Sequence, residues 1–176
     1  MKSCDYIECA DERYKLRQVR SDDAQAAAEI EAICFPPSEA CTLPIMKERI
    51  ALASDAFLVA VERETDQIIG FINALCTDEK SLRDELFTDT HLHDPAGRNV
   101  MICSVSVRPQ YQKQGIAREM MRNFLGWQKK LGKQQAILTC VPGKVKMYEK
   151  FGFTDLGESK SSWGGEKWHE MCCVLK

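Results

Sequence analysis

Residues 107–121 read VRPQYQKQGIAREMM and join two apolar segments of different period. Before them, NVMICSVSV (99–107) is apolar on both faces, as is typical of a central, buried strand. After them, apolar residues recur at helical spacing: Ile116, Met120, Phe124, Trp127 and Leu131. The polar loop between the two segments offers main-chain groups, and Gly115 lets that main chain approach a ligand closely. Because the first amides of a helix have no intrahelical acceptor, the loop predicts an anion-binding site.

The composition excludes several classes of protein. Lys and Arg number 24 against 26 Asp and Glu, a net charge of −2, which argues against a general binder of nucleic acid or anionic membranes. No apolar run of 18 residues and no signal-peptide pattern is present, so we expect a cytoplasmic protein. None of the nine cysteines has the C-x-x-C spacing of a zinc or thioredoxin site, so we expect no metal site. Because no secretion signal is present, we expect the thiols to be reduced.

The remaining segments predict one α/β domain over residues 13–176, after an N-terminal extension of residues 1–12. Predicted strands cover 14–19, 56–62, 67–75, 99–107, 135–141, 153–159 and 167–175. Predicted helices run from an N-cap at Ser21 to about Cys34, over 45–53, over 116–131, and from Pro142 to Gly152. The proline-containing segment 35–44 is expected to be an irregular loop. This order predicts a mixed, mostly antiparallel central sheet flanked by helices on both faces.

Two motifs carry a resemblance to a known family. A single glycine is equally typical of a simple turn before a helix, but QKQGIA (112–117) stands beside YEKFGF (148–153). Together they resemble the two signatures of Gcn5-related N-acetyltransferases (GNAT), and nearly the whole chain follows that order of elements. Further segments resemble the microbial form of the arylalkylamine (serotonin-type) branch: EAICFPPSEA (31–40), IIGFINA (68–74) and LHDPAGRNVMI (92–102).

The resemblance implies acetyl-CoA as co-substrate and assigns its binding residues. The pyrophosphate is expected on the loop and helix start, at Gln112, Lys113, Gln114, Gly115, Ile116, Ala117 and Arg118. The pantetheine arm is expected on Val105, Ser106 and Val107, because in the family this strand splays away from the next and leaves its polar main-chain groups free.

Acetyl transfer to an amine needs a base for the ammonium and an acid for the departing sulfur. Tyr148 occupies the family's tyrosine position and is the expected acid; the alternative is a core tyrosine. The base cannot be assigned from the relatives, because Met101 and Cys103 occupy the positions where the vertebrate enzymes carry histidines. Glu39 and His93 are the candidates. His91 and Asp94 are further possibilities, with solvated loop histidines as the simpler interpretation.

Three functions remain open on the sequence. The first is direct acetyl transfer to a small arylalkylamine, without an acetyl-Cys103 intermediate, since no base adjoins that thiol in the strand. The second is acetylation of a peptide or protein amino group on the same fold. The third is a non-catalytic acyl-CoA sensor that has lost the base. No clear signal for an oligomer interface is present.

Overall fold

The strand that precedes the quoted loop lies in the middle of a seven-stranded sheet. The structure, a computed structural model, describes Ile7, Cys9 and residues 11–175. Most of the predicted N-terminal extension, residues 1–12, therefore lies outside the described residues.

Within residues 11–175, seven strands and four α-helices follow one another in the predicted order. The strands are β1 (Tyr14–Gln18), β2 (Phe57–Glu62), β3 (Ile68–Thr77), β4 (Asn99–Val107), β5 (Gln135–Cys140), β6 (Thr154–Glu158) and β7 (His169–Val174). The helices are α1 (Ala24–Cys34), α2 (Leu43–Leu52), α3 (Ile116–Lys130) and α4 (Val145–Lys150). The sheet order is β1-β2-β3-β4-β5-β7-β6, and among these described strands only the β4–β5 pair is parallel. The predicted fold class is confirmed.

The sheet has one apolar core on each face because side chains alternate along each strand. The even-numbered residues of β2 pack with α3 in one apolar cluster, and its odd-numbered residues pack with α1 and α2 in another. On the α3 side, Phe124 and Trp127 are almost fully buried and lie edge to face, 6.2 Å between ring centroids. Burying each ring contributes about 1.5–3 kcal/mol. Among the described helices, none has the length and hydropathy needed to cross a bilayer.

Three helix starts differ from the sequence prediction, because α4 also begins only after a 3₁₀ turn, at residues 142–144. Ser21 is not the N-cap of α1, because residues 21–23 form a short 3₁₀ turn first. Asp23 stabilises this turn by accepting hydrogen bonds from the Arg17 guanidinium at 2.7 and 3.0 Å and from the Arg20 amide at 2.7 Å. Pro44, expected in the loop, lies in the first turn of α2, where no intrahelical hydrogen bond is lost by the missing N–H.

Beta-4 and β5 pair along only part of their length. Three residue pairs join them in parallel, from Asn99 with Gln135 to Met101 with Ile137. Beyond these pairs β4 continues to Val107 while still bound to β3 on its other edge. A gap therefore opens between the two strands in the centre of the sheet.

The connection between β3 and β4 is fixed by close packing at Gly97. A Cβ atom placed on Gly97 would lie 2.5 Å from the Thr77 backbone, closer than side chains are found. Lys133, which is buried, donates from Nζ to the carbonyls of Pro95 at 2.6 Å and Gly97 at 2.7 Å. Only glycine fits the space that these contacts leave.

Substituting Gly97 by alanine is therefore expected to lower the free energy of unfolding by about 1–3 kcal/mol, because the added methyl displaces backbone. Gly126, exposed in α3, is the matched control, since a methyl group added there would meet no atom within 4 Å. Gly126→Ala is expected to raise stability by about 0.5–1 kcal/mol through helix propensity. Urea unfolding of both variants measures the difference, and shifts of the same sign would contradict the close contact.

Candidate active site

The N-terminus of α3 presents a row of amides without acceptors. Gly115, at φ 82°, and Lys113, at φ 59°, turn the chain into the helix, whose first hydrogen bond runs from the Glu119 amide to the Gly115 carbonyl. The amides of residues 116–118 accordingly find no acceptor among the described residues. A Cβ atom on Gly115 would meet nothing within 4 Å, so the space above the loop is open. This geometry fits an anionic group such as a pyrophosphate.

The glutamines of the loop hold its shape. Gln112 donates from Nε2 to the Val107 carbonyl at 2.9 Å, and Gln114 donates from Nε2 to the Gln110 carbonyl at 3.1 Å. Arg13, from the chain just before β1, donates to Gln114 Oε1 at 3.3 Å. The side-chain amides are therefore used within the protein, and the main chain is what the loop offers to a ligand.

Beta-4 exposes polar main-chain groups along the gap. Arg108 donates its amide to the Ile69 carbonyl at 2.8 Å, which fixes the alternation of the antiparallel β3–β4 pairing. In that alternation the main-chain groups of Val105 and Val107 point toward the gap, whereas those of Ser106 face β3. The Val107 carbonyl also accepts from Cys34 Sγ at 3.3 Å. Val105 thus offers its amide and carbonyl to an extended, amide-containing ligand.

A cavity of about 200 Å³ lies where the two strands separate. Its strand walls come from residues 102–105 and 138–141, directly after the last β4–β5 pair. Residues on both faces of the sheet also line the cavity. Those of α1 and α2 lie on one face, and Tyr148 of α4 lies on the other. Its aromatic lining consists of Phe35, Phe87, Tyr148, Trp163 and Trp168.

The two tryptophans are fixed over the cavity by the connection between β6 and β7. The Trp163 ring stacks on Phe87 at 4.9 Å between centroids. Indole nitrogens anchor both rings, Trp163 to the Glu39 carbonyl at 3.4 Å and Trp168 to the Trp163 carbonyl at 2.9 Å. The cavity therefore has a flat, apolar wall suited to an aromatic ligand.

Tyr148 reaches the cavity from α4. Its ring packs edge to face on Phe151 at 5.8 Å and on Phe153 at 5.9 Å. Its hydroxyl makes no hydrogen bond to a described residue. Burial, and then the nearby Cys140 thiol, raise the pKa of Tyr148 well above its ordinary value. The phenol consequently keeps its proton at neutral pH, and its transfer to a departing sulfur depends on close positioning.

Two buried charged residues lie on the α1 and α2 side of the cavity. Glu31 is 2% exposed, and its Oε1 accepts from the Cys41 amide at 3.2 Å and from the Ser104 hydroxyl at 3.0 Å. Arg49 is 3% exposed and donates to Asn73 Oδ1 at 2.9 Å and to the Phe87 carbonyl at 2.6 Å. The sequence reasoning missed Glu31.

A signal for Glu31 was present in the sequence. Ala27, Ile30, Glu31 and Cys34 share one helical stripe, and the first two are fully buried in the core. Burying a carboxylate in such a stripe costs free energy of folding. Such a residue is therefore expected to have a hydrogen-bond partner or a functional role.

The sequence-predicted bases do not all reach this cavity. Glu39 lines it, and burial, followed by the charge of Glu166, raises the pKa of Glu39. His93 lies elsewhere, because its Nδ1 accepts from the Cys76 amide at 2.9 Å and its Nε2 is 3.0 Å from Asp55 Oδ1.

The two further candidates beside His93 are engaged elsewhere as well. His91 is an exposed residue on the loop surface, with Nδ1 3.5 Å from Glu48 Oε1. Asp94 caps a turn through the Ala96 amide at 2.9 Å. The segment from 91 to 94 therefore holds loop structure and supplies no group to the cavity.

The β4 residues at the histidine positions supply no base either. Met101 is fully buried, and Cys103 borders the cavity with its Sγ 3.7 Å from the Leu86 carbonyl and 3.6 Å from the Met101 carbonyl. Burial raises the pKa of Cys103, so the thiol stays protonated at neutral pH. No group of three or more metal-ligating side chains occurs among the residues that the structure describes.

Comparison with known proteins agrees with this geometry. Residues 24–153 match the sequence profile of the acetyltransferase (GNAT) family. Serotonin N-acetyltransferase of Mesocricetus auratus is 28% identical over 167 residues, which are 92% of this chain and 78% of that protein.

Solved structures share the fold at lower identity. The loading GNATL domain of CurA from Lyngbya majuscula superposes with a TM-score of 0.77 at 14% identity, covering 92% of this chain and 98% of that one. YncA from Salmonella typhimurium, solved with its cofactor acetyl-CoA, gives 0.66 at 16% identity, covering 94% and 95%. Since the family profile spans well over half of the sequence, the chain belongs to the acetyltransferase (GNAT) family and is an N-acetyltransferase that uses acetyl-CoA.

Proposed function

We propose that the protein transfers an acetyl group directly from acetyl-CoA to the primary amine of a small arylalkylamine. The observation that carries this proposal is the cavity itself, which combines aromatic walls with the buried carboxylate of Glu31. An aryl ring finds stacking surfaces at Phe87 and Trp163, and an ammonium group finds negative charge across the cavity. The likeness to a serotonin N-acetyltransferase supports the same class of substrate.

The cofactor-binding residues follow from the open main chain. We propose that the amides of residues 113–118 bind the pyrophosphate, with the side chains of Lys113 and Arg118 adding positive charge. Val105 and Val107 bind the pantetheine arm through main-chain groups, and Gln112 and Gln114 maintain the loop. Acetyl-CoA, when bound, supplies an activated thioester.

The acceptor amine must be neutral before it can attack. An alkyl amine with a pKa of ~10.4 is neutral in about 1 of 2,500 molecules at pH 7, which adds roughly 4.6 kcal/mol to the barrier. A carboxylate in a poorly hydrated cavity offsets part of this cost by accepting the proton. At the other end of the reaction, Tyr148 holds the proton that the departing sulfur takes.

Free thiols support a cytoplasmic setting for this reaction. All eight cysteines within the described residues are unpaired, including the four that border the cavity: Cys34, Cys41, Cys103 and Cys140. We infer that the protein works in a reducing compartment.

A panel of amines tests the substrate class. Purified protein with acetyl-CoA is expected to release free thiol with phenethylamine, tyramine and tryptamine, at kcat/KM values at least about tenfold above those for spermidine or a lysine peptide, because only the aryl amines use the aromatic wall. Thiol detection measures each rate. A higher kcat/KM for the lysine peptide than for the aryl amines would contradict the proposed substrate class and favour protein acetylation.

Gly115→Ala is expected to weaken acetyl-CoA binding by about tenfold or more, since a methyl group enters the space that the phosphates need. Gly132, at φ 85° beyond α3 and also with open surroundings, is the matched control. Alanine at either position strains the backbone by about 1–2 kcal/mol, but only position 115 adjoins the amides. Calorimetric titration with acetyl-CoA distinguishes them, and equal affinities in the two variants would exclude the loop as the binding site.

Tyr148→Phe is expected to lower kcat by about 10²–10³ while leaving acetyl-CoA affinity and thermal stability near wild type. The phenylalanine ring keeps the contacts with Phe151 and Phe153, and the hydroxyl has no partner to lose among the described residues. Tyr14→Phe, at a buried tyrosine of β1, is the control and should leave kcat unchanged. A parallel loss of stability and turnover in Tyr148→Phe would make the residue structural.

A further inference from the structure

Glu31 is held in one orientation by protein donors that all use the same oxygen. Oε1 accepts from the Cys41 amide, in the loop after α1, and from the Ser104 hydroxyl of β4. These two contacts come from different elements and fix the plane of the carboxylate. Ser104 is itself buried, so the arrangement is part of the packed interior.

The second oxygen of the same carboxylate is left without a partner. Glu31 Oε2 is buried and accepts no hydrogen bond from the described residues. Buried carboxylate oxygens in proteins are nearly always paired, because an unpaired one loses its hydration without compensation. The residue borders the cavity, so a donor entering the cavity is the partner that this oxygen lacks.

The neighbours of Glu31 on the α1 and α2 side of the cavity are an engaged arginine and protonated thiols. Glu31 is therefore the group on this side that can accept a proton. Burial raises the pKa of Glu31, against the two hydrogen bonds and the charge of Arg49, which lower it. Arg49, from α2, directs its terminal nitrogens to Asn73 and Phe87. Burial raises the pKa values of the thiols of Cys34, Cys41 and Cys103, that of Cys41 to about 11. These thiols stay neutral at neutral pH. The other titratable residues that line the cavity are Glu39, Cys140, Lys144 and Tyr148.

We propose that Glu31 is the general base that deprotonates the substrate ammonium. This assignment rests on the proposed acetylation of an amine, and it identifies the group that deprotonates that amine. An N–H bond of the ammonium breaks, an O–H bond forms at Oε2, and the freed nitrogen lone pair attacks the thioester carbonyl. The C–S bond then breaks, and the sulfur takes the Tyr148 proton. The second proton lost by the nitrogen as the amide forms restores the phenol, and Glu31 releases its proton to solvent.

Glu39 is the competing carboxylate, and it is less suited to this role. It lies at the mouth of the cavity and is partly exposed, whereas Glu31 is 2% exposed. Its side chain packs against Gly164 of the β6–β7 connection, and its main-chain carbonyl accepts from Trp163. Glu39 therefore positions the tryptophan wall.

The test compares two amines that arrive in different protonation states. Phenethylamine arrives as an ammonium, whereas 2,2-difluoro-2-phenylethylamine, whose fluorines withdraw electrons, is far less basic and has a large neutral fraction near pH 7. Glu31→Gln keeps the shape of the side chain and an oxygen for the Cys41 amide and Ser104. It is expected to lower kcat/KM for phenethylamine by about 10²–10³ but by about tenfold or less for the fluorinated amine.

Three further measurements separate a base from a structural role. Wild-type kcat/KM for phenethylamine should rise with pH above the ordinary glutamate range, because burial raises the pKa of Glu31, and this limb should vanish in Glu31→Gln. Glu31→Asp, which retains a carboxylate, should recover part of the phenethylamine activity. Glu29→Gln, the same change at an exposed position of α1, should behave as wild type. Acetyl-CoA affinity should be equal in all of them.

Each contrary result has a distinct meaning. Equal losses with both amines, or equal activity of Glu31→Gln and wild type, overturn the assignment of the base while the proposed function stands. Wild-type protein that binds acetyl-CoA but acetylates neither amine overturns the proposed function itself and the base with it.

Discussion

The early end of the β4–β5 pairing is the constraint on which the site depends. Two adjacent parallel strands in the middle of a sheet would ordinarily satisfy each other's main chain along their full length. Here the ladder stops at Met101, while β3 continues to hold β4 as far as Val107. Beyond Met101, the main-chain groups of β4 that face the gap have no hydrogen-bond partner on β5. An extended ligand that contains amide groups can supply such partners. The sheet thus provides a binding groove through its main chain, whatever side chains the strand carries.

The same separation joins the two faces of the sheet. In an intact sheet, residues on α1 and α4 would lie on opposite sides of a closed layer. The gap brings Glu31 and Tyr148 to one cavity, so that the proposed base and the proposed acid lie on it from opposite faces of the sheet. The aromatic wall at Trp163 and Phe87 lowers hydration there, and poorly hydrated surroundings strengthen every charge interaction within.

The sequence predicted the framework well because local patterns carry it. The buried strand 99–107, the glycine-bearing loop and the amphipathic helix from Ile116 each have a period or turn chemistry that short-range physics determines, and all three are confirmed. Ser21 failed as a helix cap because Asp23 and Arg17 form a pair across the turn, a contact between elements that no local pattern encodes. The site was harder for the same reason. The helical stripe marked Glu31 as a buried position, but its hydrogen bond with Ser104 and its place at the cavity are seen only when α1 is placed beside β4.

Several buried polar atoms of the described residues lack a hydrogen-bond partner, and three of them lie beside the cavity or on the strand that borders it. Glu31 Oε2, Arg49 Nε and Ser106 Oγ are all buried without partners among the described residues, although the surrounding core is well packed. Proteins seldom tolerate such atoms except where a ligand completes them. Met101 and Cys103 of β4 are apolar or protonated, and the buried charged side chains that border the cavity come from α1 and α2. A carboxylate on a helix that packs against the splayed strand reaches the same space as a side chain on the strand, so the proposed base can act from α1.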